Sequence, residues 1–288
     1  VAVPRFAALF AELGMRATFF VVAEDLAEPV ARAAAQDLVR QGHELASHTF
    51  SHPYDLVRRD APVQRAELFR ADADIRAVTG ASVAGYRAPG YNQSPAIQAA
   101  LAELGYDYDS SAFPCPAYVA AKAALIAAKR LRGRLSQSIV HAPASALGGR
   151  GPEVVTTAHG ALWSLPISVT PMVRFPLIGT ALTALGRLAA PLLGPVIERM
   201  AYVNIEMHGV DLLGLDDDRL PAVFAIQPDL RVPVDHKRAI FREIFARGRD
   251  THRTLPLALL ARVLDDSNPN ARPPCDAARQ QSTEEVRS

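Results

Sequence analysis

The most constraining feature of this sequence is an alternation of short strand-like runs with longer helical runs. Residues 4–13 carry apolar side chains at helical spacing and stop at Gly14. Residues 17–22 (ATFFVV) then read as a compact strand. The pattern continues with helical periodicity over 26–40, 63–78 and 95–104, closed by Gly42, Gly80 and Gly105. Strand-like stretches fall at 43–48, 83–86 and 162–167. Glycine just past a helix and proline in a first turn, as at Pro95, are the expected punctuation. Further helical runs at 180–199, 236–246 and 255–263 complete a series that predicts βαβ units and a parallel sheet.

Residues 202–208 select among parallel folds. As a strand they place Asn204, Glu206 and His208 on one face and Val203, Ile205 and Met207 on the other. An open sheet covered by helices on both faces would bury three polar side chains at a cost. A barrel can turn them inward, toward a site at the C-terminal ends of its strands. A (β/α) barrel over 1–264 is therefore expected. From 265 to 288 polar residues and proline show no apolar period, which predicts a disordered tail.

Composition excludes several classes. With 31 Lys+Arg against 30 Asp+Glu, the net charge of +1 gives no field suited to nucleic acid. The longest apolar stretch, 175–197, is interrupted by Pro176, Arg187, Pro191 and Pro195, so no membrane span is expected and a soluble protein is. Cys115 and Cys275 do not form a disulfide framework, which favours a reducing, cytoplasmic setting. The chain begins at Val1 with no signal-like segment and is expected to be a fragment or a processed form.

Chemistry-bearing residues cluster at the ends of the strand-like runs. His48 and His52, in SHTFSHP, are four residues apart and come at the end of the strand-like run that begins at His43; they are two metal donors or two ordinary histidines. Arg87, in YRAPGY, can orient a carboxylate, and the Pro89–Gly90 turn can aim backbone N–H groups at an oxyanion. His208 suits a general acid, and Asp109, in YDSS, suits a carboxylate that orients it. A structural histidine and an Asx-turn are the plainer alternatives at those two positions.

These pieces, in this order, resemble the polysaccharide deacetylase family, also called the NodB-homology or carbohydrate esterase family 4 domain. His48-Thr49-Phe50-Ser51-His52 is similar to its His-[Ser/Thr]-x-x-His motif, and Arg87-Ala88-Pro89-Gly90-Tyr91 to its arginine motif. Tyr108-Asp109-Ser110-Ser111 resembles the fourth motif without its Asp-Trp ending, and Ile205-Glu206-Met207-His208 the fifth. Leu162-Trp163-Ser164-Leu165-Pro166 looks like the family strand that lines the groove. The family's first, aspartate-bearing motif is not in the chain, so the barrel is expected to be N-terminally incomplete and inactive as it stands. Glu24 and Asp25 are candidate substitutes only by position.

The resemblance implies a distorted (β/α) barrel that removes an acyl group from an N-acylated sugar or glycan, free or lipid-linked. It implies a divalent metal, zinc by preference, on His48 and His52, with Arg87 orienting the base. It further implies that N–H groups near Gly90 and Tyr91 hold the oxyanion, that His208 on Asp109 is the general acid, and that Tyr91 and Trp163 are sugar platforms. An inactive glycan-binding barrel and a hydrolase of a small non-sugar amide are the alternatives.

Overall fold

The computed structural model describes residues 1–133, 136–141, 143–269 and 271–272. In chain order the elements are α1 (Ala2–Glu12), β1 (Thr18–Val21), α2 (Pro29–Arg40), β2 (Glu44–Ser47), α3 (Ala61–Thr79), β3 (Gly85–Tyr86), α4 (Pro95–Glu103), β4 (Tyr108–Asp109), α5 (Pro116–Leu131), β5 (Glu153–Thr157), β6 (Gly160–Ser164), α6 (Gly179–Leu185), α7 (Ala189–Ile197), α8 (Val234–Thr251) and α9 (Leu257–Ser267), with short 3₁₀ turns between several. The mixed α/β architecture with a parallel sheet is the one the alternation predicts. Its boundaries follow local chemistry. Ser94 caps α4 by accepting from the Ile97 N–H at 3.3 Å, and Pro95 occupies the first turn. Gly80 ends α3 at φ 66°, a left-handed conformation in which a Cβ is strained. Pro29 holds Glu28 extended, so the helix expected over 26–40 divides into a 3₁₀ turn (Ala23–Ala27) and α2.

The chain forms two compact units, Val1–Ala17 with Ile167–Leu255, and Thr18–Pro166 with the residues from Pro256. The second unit holds the sheet, in the order β1-β2-β3-β4-β6-β5. All pairs are parallel except β5–β6, an antiparallel hairpin. One face of this sheet packs Ala46, Tyr108, Trp163 and Leu165 on Leu257 and Ala261 of α9. Glu44 fixes that helix: its carboxylate accepts from Thr18 Oγ1 (2.6 Å), Tyr108 OH (2.8 Å) and the Ala258 N–H (2.9 Å). Gly85 sits under the Tyr108 ring, where a Cβ would lie 1.9 Å from Cζ. On the other face, register aligns Ser47, Tyr86, Asp109 and Ser164 in one buried row across four strands.

Of the stretch expected to be a tail, 265–267 belong to α9 and Arg272 pairs with Asp107 (3.0 Å) and Asp265 (2.6 Å). Residues 273–288, with Cys275, lie outside the described residues. Cys115 is buried.

In the first unit the expected strand at 202–208 is extended but not a regular strand. Its pairing is one parallel bridge, Ile178 with Glu206, supported by Glu206 N–H to Leu177 O (3.1 Å) and Gly179 N–H to Glu206 O (2.9 Å). Gly179–Ile197 is long and apolar enough by composition to cross a membrane. It is nonetheless split into α6 and α7 at Gly186 (φ 56°, ψ −132°), and it buries Leu182, Leu193 and Ile197 within this unit.

Candidate active site

The parallel ladder of the second unit delivers the motif residues to one edge of the sheet. One step past the buried row, His48 N–H donates to Val21 O (2.8 Å), Arg87 N–H to Ser47 O (3.0 Å) and Ser110 N–H to Tyr86 O (2.8 Å). His48, Arg87 and Ser110 thus follow the C-terminal ends of β2, β3 and β4, the position at which parallel α/β folds build sites.

The His48–His52 turn is held in an unusual backbone. Thr49 and His52 both have left-handed φ, 69° and 58°. The buried Thr49 hydroxyl stabilises the turn by accepting the His52 N–H at 2.9 Å. Glu67 of α3 accepts from the Ser51 hydroxyl at 2.8 Å, and Arg70 lies 3.5 Å above the Phe50 ring. The two imidazoles come together with ring centroids 4.8 Å apart. His48 Nδ1 lies 2.6 Å from the Arg87 carbonyl oxygen. A carbonyl only accepts, so Nδ1 carries a proton; in the neutral ring Nε2 then carries the lone pair, the tautomer of a metal-binding histidine with an outer partner. Catalytic zinc sites have three protein donors. No third His, Cys, Asp or Glu joins this pair among the described residues, so the side chains present do not complete a metal site. Glu24 and Asp25 are exposed in a 3₁₀ turn and do not substitute.

Arg87 is buried and turned onto the sheet edge. Its Nε donates to Ser110 O (2.9 Å), Nη2 donates to Ser110 Oγ (2.7 Å), and the guanidinium lies 4.2 Å over the Phe20 ring. Asp109 is 1 % exposed. Its Oδ1 accepts from the Ser111 N–H (3.0 Å) and hydroxyl, and its Oδ2 from Gln93 Nε2. Burial pushes the Asp109 carboxyl up to about 6, against the pull of those hydrogen bonds and of the Arg87 charge.

Two expected roles are corrected here. The Tyr91 N–H donates to Ala88 O (3.0 Å) inside the turn and is not available to an oxyanion. Trp163 is not a sugar platform: it is 6 % exposed in the core beneath α9, with Nε1 bonded to Asp265 Oδ1 (2.9 Å). Gly90, at φ 64°, makes the turn in which Tyr91 (φ 63°) presents its ring to Phe113 and Tyr118 at 5.1 and 5.4 Å.

His208 belongs to the first unit and has its own acidic surroundings. Its side chain is 54 % exposed, and Nδ1 lies 3.0 Å from Oε1 of Glu206, which is 3 % exposed. Asp211 Oδ2 accepts the His208 N–H at 2.6 Å. Burial raises the Asp211 carboxyl to about 7, with the Glu206 charge adding to the shift. Glu206 Oε2 and Asp211 Oδ1 are buried without a hydrogen-bond partner among the described residues. Gly179 permits this packing, since a Cβ there would lie 2.1 Å from Asp211 Oδ2. Glu206 and Asp211 were not singled out from sequence. Glu206 had a signal, its place on the polar face with His208, whereas Asp211 had none.

Residues 1–108 match the family model for polysaccharide deacetylase. No curated protein matches the chain. Among solved structures, a candidate polysaccharide deacetylase from Mycobacterium smegmatis is similar at 21% identity and a TM-score of 0.60, covering 94% of this chain and 79% of that one. A family 4 carbohydrate esterase from Streptomyces lividans, solved with acetate, matches at 11% identity and a TM-score of 0.47 over 88% of this chain and 84% of its own. The Xyl-CE4 domain of a multidomain xylanase from the hindgut metagenome of Trinervitermes trinervoides matches at 25% identity and a TM-score of 0.32, over 34% of this chain and 46% of that one. The last two similarities are too low to bear on the fold, which rests on the first. Residues 1–108 therefore match the polysaccharide deacetylase model, and the chain has a mixed α/β fold with a parallel sheet similar to that of the Mycobacterium smegmatis structure.

Proposed function

We propose that the protein is a hydrolase that removes an acetyl or similar acyl group from the nitrogen of an N-acylated sugar or glycan. The observation that carries this reading is the His48–His52 pair, with Nδ1–H of His48 anchored on Arg87 O, inside the stretch that matches the deacetylase family. In this reading a divalent metal, zinc by chemical preference for nitrogen donors, takes His48 and His52 as two of its ligands. Bound there, it would polarise the acyl carbonyl. The chain's own residues do the rest. Arg87 fixes the loop that carries the His48 anchor by tying β3 to Ser110. By the resemblance, His208, whose Nδ1 lies 3.0 Å from Glu206 Oε1, would be the proton donor to the departing sugar amine.

A second reading, a glycan-binding barrel without hydrolytic activity, is favoured by one observation: no third metal-ligating side chain accompanies the two histidines among the described residues. The experiment is deacetylation of a panel of N-acetylated oligosaccharides by the protein, with and without chelator. Chelator-sensitive release of acetate is expected. Binding of the oligosaccharides without release under any metal supports the second reading.

A further inference from the structure

Lysine is rare here: of 31 Lys+Arg only Lys122, Lys129 and Lys237 are lysine. Two of these meet backbone carbonyls, in contrasting ways. Lys237 is fully buried and donates to three of them, Val210 O (3.1 Å), Asp229 O (3.0 Å) and Leu213 O, so each N–H has an acceptor and the residue is structural. Lys122 donates to one, Gly90 O, at 2.9 Å. No carboxylate among the described residues forms an ion pair with it. Its ammonium is partly desolvated, which lowers its proton affinity. Among the described residues, two of its three donors are thus left for solvent or a ligand, at a place where burial already disfavours an uncompensated charge.

The surroundings of this ammonium point to a sugar. It lies 5.8 Å from the Tyr118 ring centroid, and Tyr118 stacks with Tyr91 (5.4 Å) and Phe113 (4.9 Å). On its other side, a Cβ on Gly90 would meet Lys122 Nζ at 3.2 Å and Tyr54 Cδ1 at 3.0 Å. The Tyr54 ring in turn packs edge-on against His52 at 4.9 Å. Tyr54 therefore lies beside both Gly90, whose carbonyl Lys122 bonds, and His52 of the histidine pair. The helix that carries Lys122 buries none of its own residues, so Tyr118 and Lys122 are not placed by a core of that helix. A compact ammonium beside aromatic rings suits a point contact with an anionic oxygen, where a guanidinium would demand a planar partner.

We propose that Lys122, with the Tyr91–Tyr118 rings, forms a subsite for an anionic group, carboxylate or phosphate, on the sugar whose N-acyl group reaches His48 and His52. This rests on the reading of the site as one that binds N-acylated glycans. The test is binding, independent of turnover. N-acetylglucosamine, N-acetylmuramic acid and N-acetylglucosamine 1-phosphate are titrated into the wild-type chain and into Lys122→Met and Lys122→Arg, followed by calorimetry at two salt concentrations. One anionic sugar is expected to bind about tenfold more tightly than the neutral one, with the advantage shrinking at high salt. Lys122→Met should abolish that advantage and Lys122→Arg should keep part of it. Whichever anion shows the effect identifies carboxylate or phosphate as the source. Equal affinity for neutral and anionic sugars, or a preference that survives Lys122→Met, overturns the subsite while leaving the glycan reading intact. Failure of all three sugars to bind a folded protein overturns both.

Discussion

Replacing Asp109 by asparagine should stabilise the protein at neutral pH. The carboxyl is 1 % exposed and is raised from 3.8 to about 6 by burial. In the native state it therefore holds its proton more tightly than in the unfolded chain. Between about pH 4 and pH 6 the native state binds more protons than the unfolded state, and stability falls as pH rises through that window. A shift of about two units corresponds to about 3 kcal/mol, an order-of-magnitude figure fully expressed above pH 6. Asparagine removes the charge and keeps the shape. Ser111 can still donate to Oδ1. Gln93 donates its Nε2–H to Oδ2, while its own Oε1 is buried without a partner, so a half-turn of the Gln93 amide would offer that oxygen to the new Asn N–H. The assay is urea denaturation of wild type and Asp109→Asn from pH 4 to pH 8, with equal m-values as the check on two-state unfolding. The stability difference between the two proteins isolates this group from Asp211 and Glu44, whose carboxyls are also raised by burial. The variant should gain about 1 to 3 kcal/mol by pH 8 and nothing near pH 4. A difference that does not change with pH, or a variant that is less stable at pH 8, would refute the reasoning.

Gly85→Ala should cost at least about 3 kcal/mol, because the added methyl would stand 1.9 Å from Cζ of a fully buried Tyr108. Tyr108→Ala in the same chain should recover part of that loss relative to the sum of the single changes, and strict additivity of the two in denaturation would show that the ring is not the obstacle. His208→Ala should lower sugar-amide hydrolysis by about 10² to 10⁴ and leave an activated acetate ester nearly untouched, since only the amine leaving group needs the proton. Glu206→Gln should show the same selectivity with a smaller loss, about tenfold, read as kcat on the two substrates; equal loss on both would make Glu206 a packing residue.

The order of strands and helices was legible because glycines and prolines punctuate it. Gly80 and the Ser94-Pro95 pair do in the structure what their chemistry implies. Strand lengths were less legible: Gly85–Tyr86 and Tyr108–Asp109 are paired over two residues each, since ladder bonding stops where the motif loops begin. The helix Pro116–Leu131 is less legible: its half-buried residues Tyr118, Lys122 and Ile126 lie four apart, but a lysine interrupts that stripe and alanine fills much of the rest. The motif at His48 and His52 was readable as a pair of donors, but its tautomer depends on a carbonyl 39 residues away. Trp163 was misassigned for a related reason: a sequence gives the parity of a strand, and only the packing of α9 decides which parity is the core. Glu206 was visible on the polar face, yet its pairing with His208 is a matter of side-chain geometry within an irregular segment.

The turn between the two histidines also sets what mutation can do there. Thr49 is fully buried in a left-handed conformation that a β-branched residue adopts at a cost of about 1 to 2 kcal/mol, and its hydroxyl accepts the His52 N–H. Glycine would relieve the backbone and delete the acceptor; valine would keep the bulk, delete the acceptor and keep the strain. Asparagine would suit the backbone but would bring extra volume into a space with none to spare. Serine alone keeps the oxygen while reducing the crowding. Position 49 should therefore be nearly closed in a saturation library, with serine as its one well-tolerated exit, and its tolerance profile would report the integrity of the histidine turn before any substrate is known.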